Sequence, residues 1–236
     1  MQENLQVLKD NLEKNKIDLS KEQLTKVDLF IRIFLKYNSV MNLTRIEELS
    51  EIIDKHFFDC LYPLSEIDFK DDAKLLDIGV GGGFPSIPIK IFYEKLNVFM
   101  MDKTNKKLLF LEEAVKELNF QNCNIIHDRA EELSKNKEYR ESFDFVTARA
   151  LAPLNILAEY AIPYLKVGGT FFAYKSSKTS EEIKEAEILI KKLGCKIEKI
   201  FEYTLISGDS RTLIIIKKES KTPMAFPRKI NRLGKN

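Results

Sequence analysis

The 236-residue chain has no tryptophan, two histidines, three cysteines and nine glycines, and each shortage removes a class of protein. Cys60, Cys123 and Cys195 are odd in number, widely spaced and free of any C-x-x-C pair. That excludes a disulfide framework and a zinc ribbon, suits a reducing cytoplasm and leaves no metal centre to expect. No apolar stretch approaches the length of about twenty residues that a bilayer demands, so no membrane partner is expected. The opening MQENLQVLKD carries Glu3 and no hydrophobic block, so no secretory signal is visible. Nothing in the sequence fixes an oligomeric state, and a monomer is the simplest expectation.

Charge of one sign is also scarce, with a net of only +2. The distribution is uneven, however. Residues 217–236 hold seven Lys/Arg against Glu219, a net of +6, which leaves the other 216 residues at −4. A basic C-terminus suits a polyanion, and it equally suits a solvated tail kept basic for solubility.

The apolar fraction of 44% is ample for a core, and its patterning divides the chain. Leu24, Val27, Ile31, Phe34 and Leu35 form a helical stripe, with Ser20 and Gln23 spaced as a capping box at its start. Leu5, Leu8 and Leu12 predict a shorter helix before it, and residues 46–58 another after it. From about residue 73 the pattern alternates between strand and helix. Buried-strand runs occur at 75–78, 98–101, 123–126, 143–146, 170–174 and 213–216. Between them lie the stripes Leu108/Leu111/Val115/Leu118 and Ile183/Ala186/Ile190/Leu193, the second opened by Thr179 and Glu182 spaced as a capping box and closed by Gly194. The expectation is an α/β fold of six or seven strands, a doubly wound and mostly parallel sheet, Rossmann-like. Residues 1–65 form a helical cap, 66–218 the core and 219–236 the basic tail.

Four of the nine glycines fall within Gly79–Gly83, directly after the first strand, in LLDIGVGGGFPSIPIKI. A P-loop would need G-K-[ST] after them, and the chain reads Gly83-Phe84-Pro85. A dinucleotide fingerprint would need a small residue where Phe84 stands, which opposes a nicotinamide-dependent oxidoreductase. What remains is Asp77-x-Gly79-x-Gly81-x-Gly83. Open backbone with an acid beside it suits a ligand that has no phosphate but carries an amino acid and a sulfonium, as S-adenosylmethionine does. Such a loop also serves as a plain structural turn, so the later strands matter. Asp102 ends the second strand, where a carboxylate can accept both ribose hydroxyls. The third ends near Asp128–Glu131, placed for an adenine edge. Each acid could merely cap a helix; three in succession behind a glycine loop indicate a methyltransferase.

The fourth strand narrows the chemistry by what it lacks. FVTARALAPL holds no cysteine, which methylation at a pyrimidine C5 would need, and no Asn/Asp-Pro-Pro-aromatic turn, which usually accompanies methylation of an exocyclic amine. A purine ring nitrogen fits better. Guanine N7 carries no proton, so its attack needs alignment and not a general base.

These residues carry a family resemblance over almost the whole chain. YNSVMNLTRI, KHFFDCL, the glycine loop with its Gly-Phe-Pro extension, RAEE, ARALAPL and the tail TPMAFPRKINRLGKN resemble segments of the bacterial 16S ribosomal RNA guanine-N7 methyltransferases, the ribosomal RNA small subunit methyltransferase G (glucose-inhibited division protein B) family. The resemblance implies a class I fold, S-adenosyl-L-methionine as donor with S-adenosyl-L-homocysteine as product, and a guanine in the 530 loop of 16S rRNA, free or in the small ribosomal subunit, as acceptor. It implies that Asp77, Gly79, Gly81, Gly83 and Phe84 line the cofactor, that Asp102 takes the ribose and that Ala130 and Glu131 meet the adenine. Arg149 would stand between cofactor and base as the catalytic positioning group. Lys175, Arg211, Arg228, Lys229 and Arg232 would face RNA. Cys60 and Ala148 depart from the Ser usual in the family. The alternative from another class is a cofactor-binding RNA-binding protein without turnover. His56 and Asp59, three apart on one helix face, are expected to pair with each other. Phe30, Phe34, Phe57 and Phe58 are expected in the core.

Overall fold

The computed structural model describes residues 1–176 and 179–228. Its amino-terminal part is helical, with α1 (Gln2–Glu13) and α2 (Lys21–Met41). The Ser20 hydroxyl accepts from Gln23 N and the Gln23 side chain accepts from Ser20 N, so the capping box is present. α2 ends at Asn42, which takes a left-handed φ of 52°, while Asn38 Oδ1 accepts from Thr44 N to fix the following turn. The next segment differs from the single helix expected over 46–58. It opens as α3 (Leu49–Ile52), widens into a π-helix over Ile53–Phe58, tightens to α4 (Asp59–Leu61) and ends in a 3-10 turn. Short π-helical stretches recur at functional sites, and this one bears directly on the site below.

Seven strands follow, β1 (Lys74–Ile78), β2 (Asn97–Asp102), β3 (Cys123–His127), β4 (Phe143–Arg149), β5 (Leu165–Ser176), β6 (Cys195–Thr204) and β7 (Ser210–Lys218). They lie in the order β3-β2-β1-β4-β5-β7-β6. Every pairing from β3 to β5 is parallel, and β7 inserts antiparallel between β5 and β6. The mostly parallel, doubly wound sheet expected from the sequence is what forms. β6 lacks a contiguous apolar run because it is an edge strand whose Lys196, Glu198, Lys199 and Glu202 face outward.

The connecting helices are α5 (Ser86–Phe92), α6 (Asn105–Glu117), α7 (Ala130–Leu133), α8 (Leu154–Ala161) and α9 (Ser180–Lys192). Successive strand residues point to opposite faces, so the sheet has two cores. Leu75, Phe172 and Ile215 join the cap residues Phe30, Phe34 and Phe57 on one face; Leu76, Phe171 and Ile214 join Leu157 of α8 and Leu189 of α9 on the other. All four cap phenylalanines singled out above are buried. Each contributes about 2–3 kcal/mol of transfer free energy, which welds cap to sheet. The Thr179/Glu182 capping box does not form. Thr179 Oγ1 lies against Thr212 Oγ1, and Glu182 reaches across to α8 and to Lys175. Among the described residues no helix is long and apolar enough to cross a membrane.

β1 lies between β2 and β4, so strand order reverses there and a crevice opens beyond the carboxyl ends of β1 and β4. In doubly wound sheets this is where ligands bind.

Candidate active site

At that crevice lies a cavity of about 270 Å³, lined among others by Gly79, Asp102, Ala130, Glu131, Leu151 and Tyr160. The glycine loop folds over β1 because Gly79 N and Val80 N donate to Met101 O at the end of β2. Gly79 takes a φ of +71°, and a Cβ there would fall 2.8 Å from Leu151 Cδ1. Asp102, 6% exposed, closes the loop: Oδ2 accepts from Gly81 N at 3.1 Å and Oδ1 from Thr104 N at 2.8 Å. Lys107 Nζ stands 3.8 Å from the same carboxylate.

Asp77 is placed differently from these. It is fully buried beneath the loop and outside the cavity lining, with Oδ2 accepting from Ser86 N at the start of α5 at 3.2 Å. Thr147 is its register partner on β4. Asp77 Oδ1, Ser86 Oγ and Thr147 Oγ1 are left without a hydrogen-bond partner. Burial pushes the Asp77 carboxyl up to about 6, although the Ser86 N–H and the Arg149 charge pull the other way. Phe84 also stands outside the cavity lining. It stacks on His56 at 4.6 Å and packs edge-on against Phe34 and Phe57 of the cap.

Arg149 ends β4, and the cap grips it. Its Nη1 donates to Asp59 Oδ2 at 2.8 Å and to Lys55 O at 2.9 Å, its Nη2 meets His56 Nδ1 at 3.0 Å, and the guanidinium lies over the Phe84 ring at 5.4 Å. His56 and Asp59 thus converge on Arg149 in place of pairing with each other. Since a guanidinium only donates, His56 Nδ1 accepts and the ring proton belongs on Nε2. Burial, aided by the Arg149 charge, holds His56 down near about 3. Asp59 Oδ1 accepts from Tyr203 OH at 2.7 Å, and Arg211 Nε approaches it at 3.7 Å. Nearby, Asp54 caps the β6–β7 turn by accepting from Ile206 N and Ser207 N. The π-helical segment is what presents Asp54, Lys55 O and His56 together.

A second cavity, of about 520 Å³, lies on the other side of residues 150–153 and is lined by Lys55, Asp59, Arg149, Tyr174, Lys175 and Arg211. Ala150 and Leu151 line both cavities. Lys175 Nζ reaches Glu182 at 2.7 Å and Ala152 O at 3.1 Å. A larger cavity, about 740 Å³, sits at the opposite, amino end of the strands among Asp68, Lys70, Asp144 and Lys166, away from the crevice.

The described part of the basic C-terminus is anchored to the core. Lys218 is buried, donating to Ile162 O, Leu165 O and Glu141. Arg228 N, Nε and Nη2 donate to Glu159, which is fully buried. Arg140 donates to the carbonyls of Ser134, Thr222, Pro223 and Phe226, strapping the segment down. Lys229 and Arg232 lie outside the described residues. The Arg140 clamp and the Tyr203–Asp59–Arg149 chain carried no sequence signal, since they join positions about eighty to a hundred and forty apart.

A switch-point crevice with an open glycine loop, an acid closing it and helices on both faces defines a class I, S-adenosylmethionine-dependent methyltransferase. Solved structures agree on the fold: a methyltransferase of this kind from Aquifex aeolicus superposes with a TM-score of 0.55 at 18% identity, covering 74% of this chain and 96% of that one. The Geobacter metallireducens precorrin-6y C5,15-methyltransferase gives 0.51 at 17%, covering 68% and 87%. The family profile described as rRNA small subunit methyltransferase G matches residues 23–209. Ribosomal RNA small subunit methyltransferase G of Lachnoclostridium phytofermentans is 44% identical over 213 residues, 90% of this chain and 88% of that one. Its Bacillus licheniformis counterpart is 41% identical over 227 residues, 96% and 95%. The chain belongs to the rRNA small subunit methyltransferase G family.

Proposed function

We propose that the chain methylates N7 of a guanine in the 530 loop of 16S rRNA, with the first cavity for the donor and the second for the acceptor. The observation that carries this reading is the shared wall, Ala150–Leu151, between an acid-closed nucleoside cavity and one ringed by Lys55, Arg149, Lys175 and Arg211. The donor fits the residues present: Gly79 brings side-chain-free backbone to the cavity wall, and Asp102 presents a carboxylate to ribose hydroxyls. S-adenosylmethionine supplies the methyl group as a sulfonium. Asp102 and Glu131 hold its nucleoside, and the orphaned Asp77 Oδ1 supplies buried negative charge below the loop.

Among the described residues, the groups beside Arg149 that could take a proton are already engaged, and Glu182, which also lines the second cavity, is held through Oε2 by Lys175 and Leu154 N. His56 is neutral, but its Nδ1 accepts from Arg149; Asp59 has one oxygen on Arg149 and the other on Tyr203. An acceptor that has no proton to lose matches this arrangement, and guanine N7 is one. The residues then have only to align and to exclude water. Arg149, pinned from three sides at the end of β4, orients what enters. Lys55, Lys175 and Arg211 attract the RNA backbone. The substrate of this reading is 16S rRNA or the small subunit, the cytoplasm its setting.

The test is to map 7-methylguanosine in small-subunit RNA from cells lacking the gene, before and after incubation with the purified protein and S-adenosylmethionine. Appearance of the modification in the 530 loop supports the reading. RNA that binds yet stays unmodified identifies a cofactor-binding RNA-binding protein without turnover.

A further inference from the structure

Resting on that two-cavity reading, we propose that Leu151 is a positioning residue that keeps donor and acceptor cavities apart until RNA arrives, with Lys175 and Glu182 as its latch.

Methyl transfer needs donor and acceptor atoms in line and close together, yet the two cavities are divided by residues 150 and 151. The dividing side chain is apolar and 41% exposed. Its methyl carbons rest on Gly79, so the space that a bare glycine offers to a ligand is taken by Leu151. The neighbouring Ala150 holds a φ of +52°, a conformation that an L-residue adopts only when its surroundings impose it.

Two charged side chains hold the loop that follows Ala150. Lys175 Nζ donates to Ala152 O at 3.1 Å, and Glu182 Oε2 accepts from Leu154 N at 3.1 Å, so the loop is held at its far end from both sides. Lys175 and Glu182 are themselves joined at 2.7 Å. An RNA phosphate brought to the second cavity competes with Glu182 for the Lys175 ammonium. Winning it removes one of the two loop contacts and disturbs the other, and Leu151 is then free to leave Gly79. Cofactor and RNA therefore favour the same displaced loop, and each strengthens binding of the other by the same factor.

The experiment measures binding of S-adenosylhomocysteine to the parent, Leu151→Ala, Leu151→Phe and Glu182→Gln, with and without small-subunit particles lacking the modification. Without particles, Leu151→Ala and Glu182→Gln should bind about fivefold more tightly than the parent, as when a competent state populated about one time in five becomes dominant. Leu151→Phe should bind more weakly. With particles, the parent should approach Leu151→Ala. Leu151 is half-exposed, so its variants should keep the parent's melting temperature, and Glu182→Gln tests the latch without touching the wall. An Ala variant that binds no more tightly than the parent, or a gap that particles leave unchanged, overturns the proposal. A parent that fails to bind S-adenosylhomocysteine at all sinks the cavity assignment itself, which is a different failure.

Discussion

Arg149 Nη1 lies 2.8 Å from Asp59 Oδ2, with side-chain exposures of 14% and 7%, and this pair joins the end of β4 to the helical cap. Two charges so far from water are tolerated because each is paired and further hydrogen-bonded: the guanidinium to Lys55 O and His56, the carboxylate to Tyr203 OH as well. Removing one partner leaves the other charge buried. Asp59→Ala should therefore lower stability by about 3–5 kcal/mol. Exchanging Arg149 for Met in the same chain should restore part of that loss, because the stranded cation is gone. Urea unfolding of the two single variants and the double measures this. Strictly additive losses would refute the coupling.

Two buried groups on either side of Arg149 should tilt stability against pH in opposite directions. The fold raises Asp77 from 3.8 to about 6, so it binds a proton more readily folded than unfolded. Its contribution is fully present below about 4 and is lost as pH rises through 6. The fold lowers His56 from 6.5 to about 3, so its contribution is fully present above 6.5 and is lost as pH falls. Between pH 4 and 6 the two slopes oppose, each about 1.4 kcal/mol per pH unit. Relative to the parent, Asp77→Asn should gain stability with rising pH, and His56→Gln should lose it. Denaturation midpoints at half-unit intervals would show the divergence; parallel profiles would contradict both assignments.

How much of this was legible in the sequence depends on how far apart the interacting residues are. Ser20 and Gln23 cap α2 because a capping box is a contract between neighbours, readable from spacing alone. Gly79–Gly83 and Asp102 were legible for a related reason, since strand, turn and strand-end acid follow one another at fixed offsets. The Thr179/Glu182 spacing looks the same, yet Glu182 finds Lys175 and Leu154 N, a better offer that only the folded chain makes. The π-helix over Ile53–Phe58 was invisible because apolar periodicity does not distinguish it from an α-helix over so few residues. Asp59 and Arg149 are ninety residues apart, and no local pattern joins them.

Gly83 offers a test of the loop that leaves every charge in place. It takes a φ of +89°, and an added Cβ would lie 2.9 Å from Ile87 Cγ1 and 3.0 Å from Phe30 Cζ, both buried. Strain and crowding act together. Gly83→Ala should cost about 2–3 kcal/mol, the backbone part alone being about 1–2 kcal/mol. The loss would appear as a lowered melting temperature with the far-UV spectrum retained. A neutral substitution would mean that the loop is not pressed against the cap as described.

The C-terminus separates two uses of positive charge. Arg228 is spent on Glu159, which is fully buried, so Arg228→Gln should destabilise the protein by about 3 kcal/mol or more. It should leave the salt dependence of RNA binding unchanged, because a guanidinium already neutralised by a carboxylate releases few counterions. Ending the chain after Arg228 removes Lys229, Arg232 and Lys235. If those three contact phosphate on single-stranded RNA, the slope of log affinity against log salt should fall by about 2, at about 0.7 per contact. Stability should hardly change, since the Arg140 and Glu159 anchors are retained. Filter binding of both variants to small-subunit RNA across a salt series decides the matter: a flattened slope with Arg228→Gln and an unaltered one after truncation would reverse the assignment of anchor and RNA-binding tail.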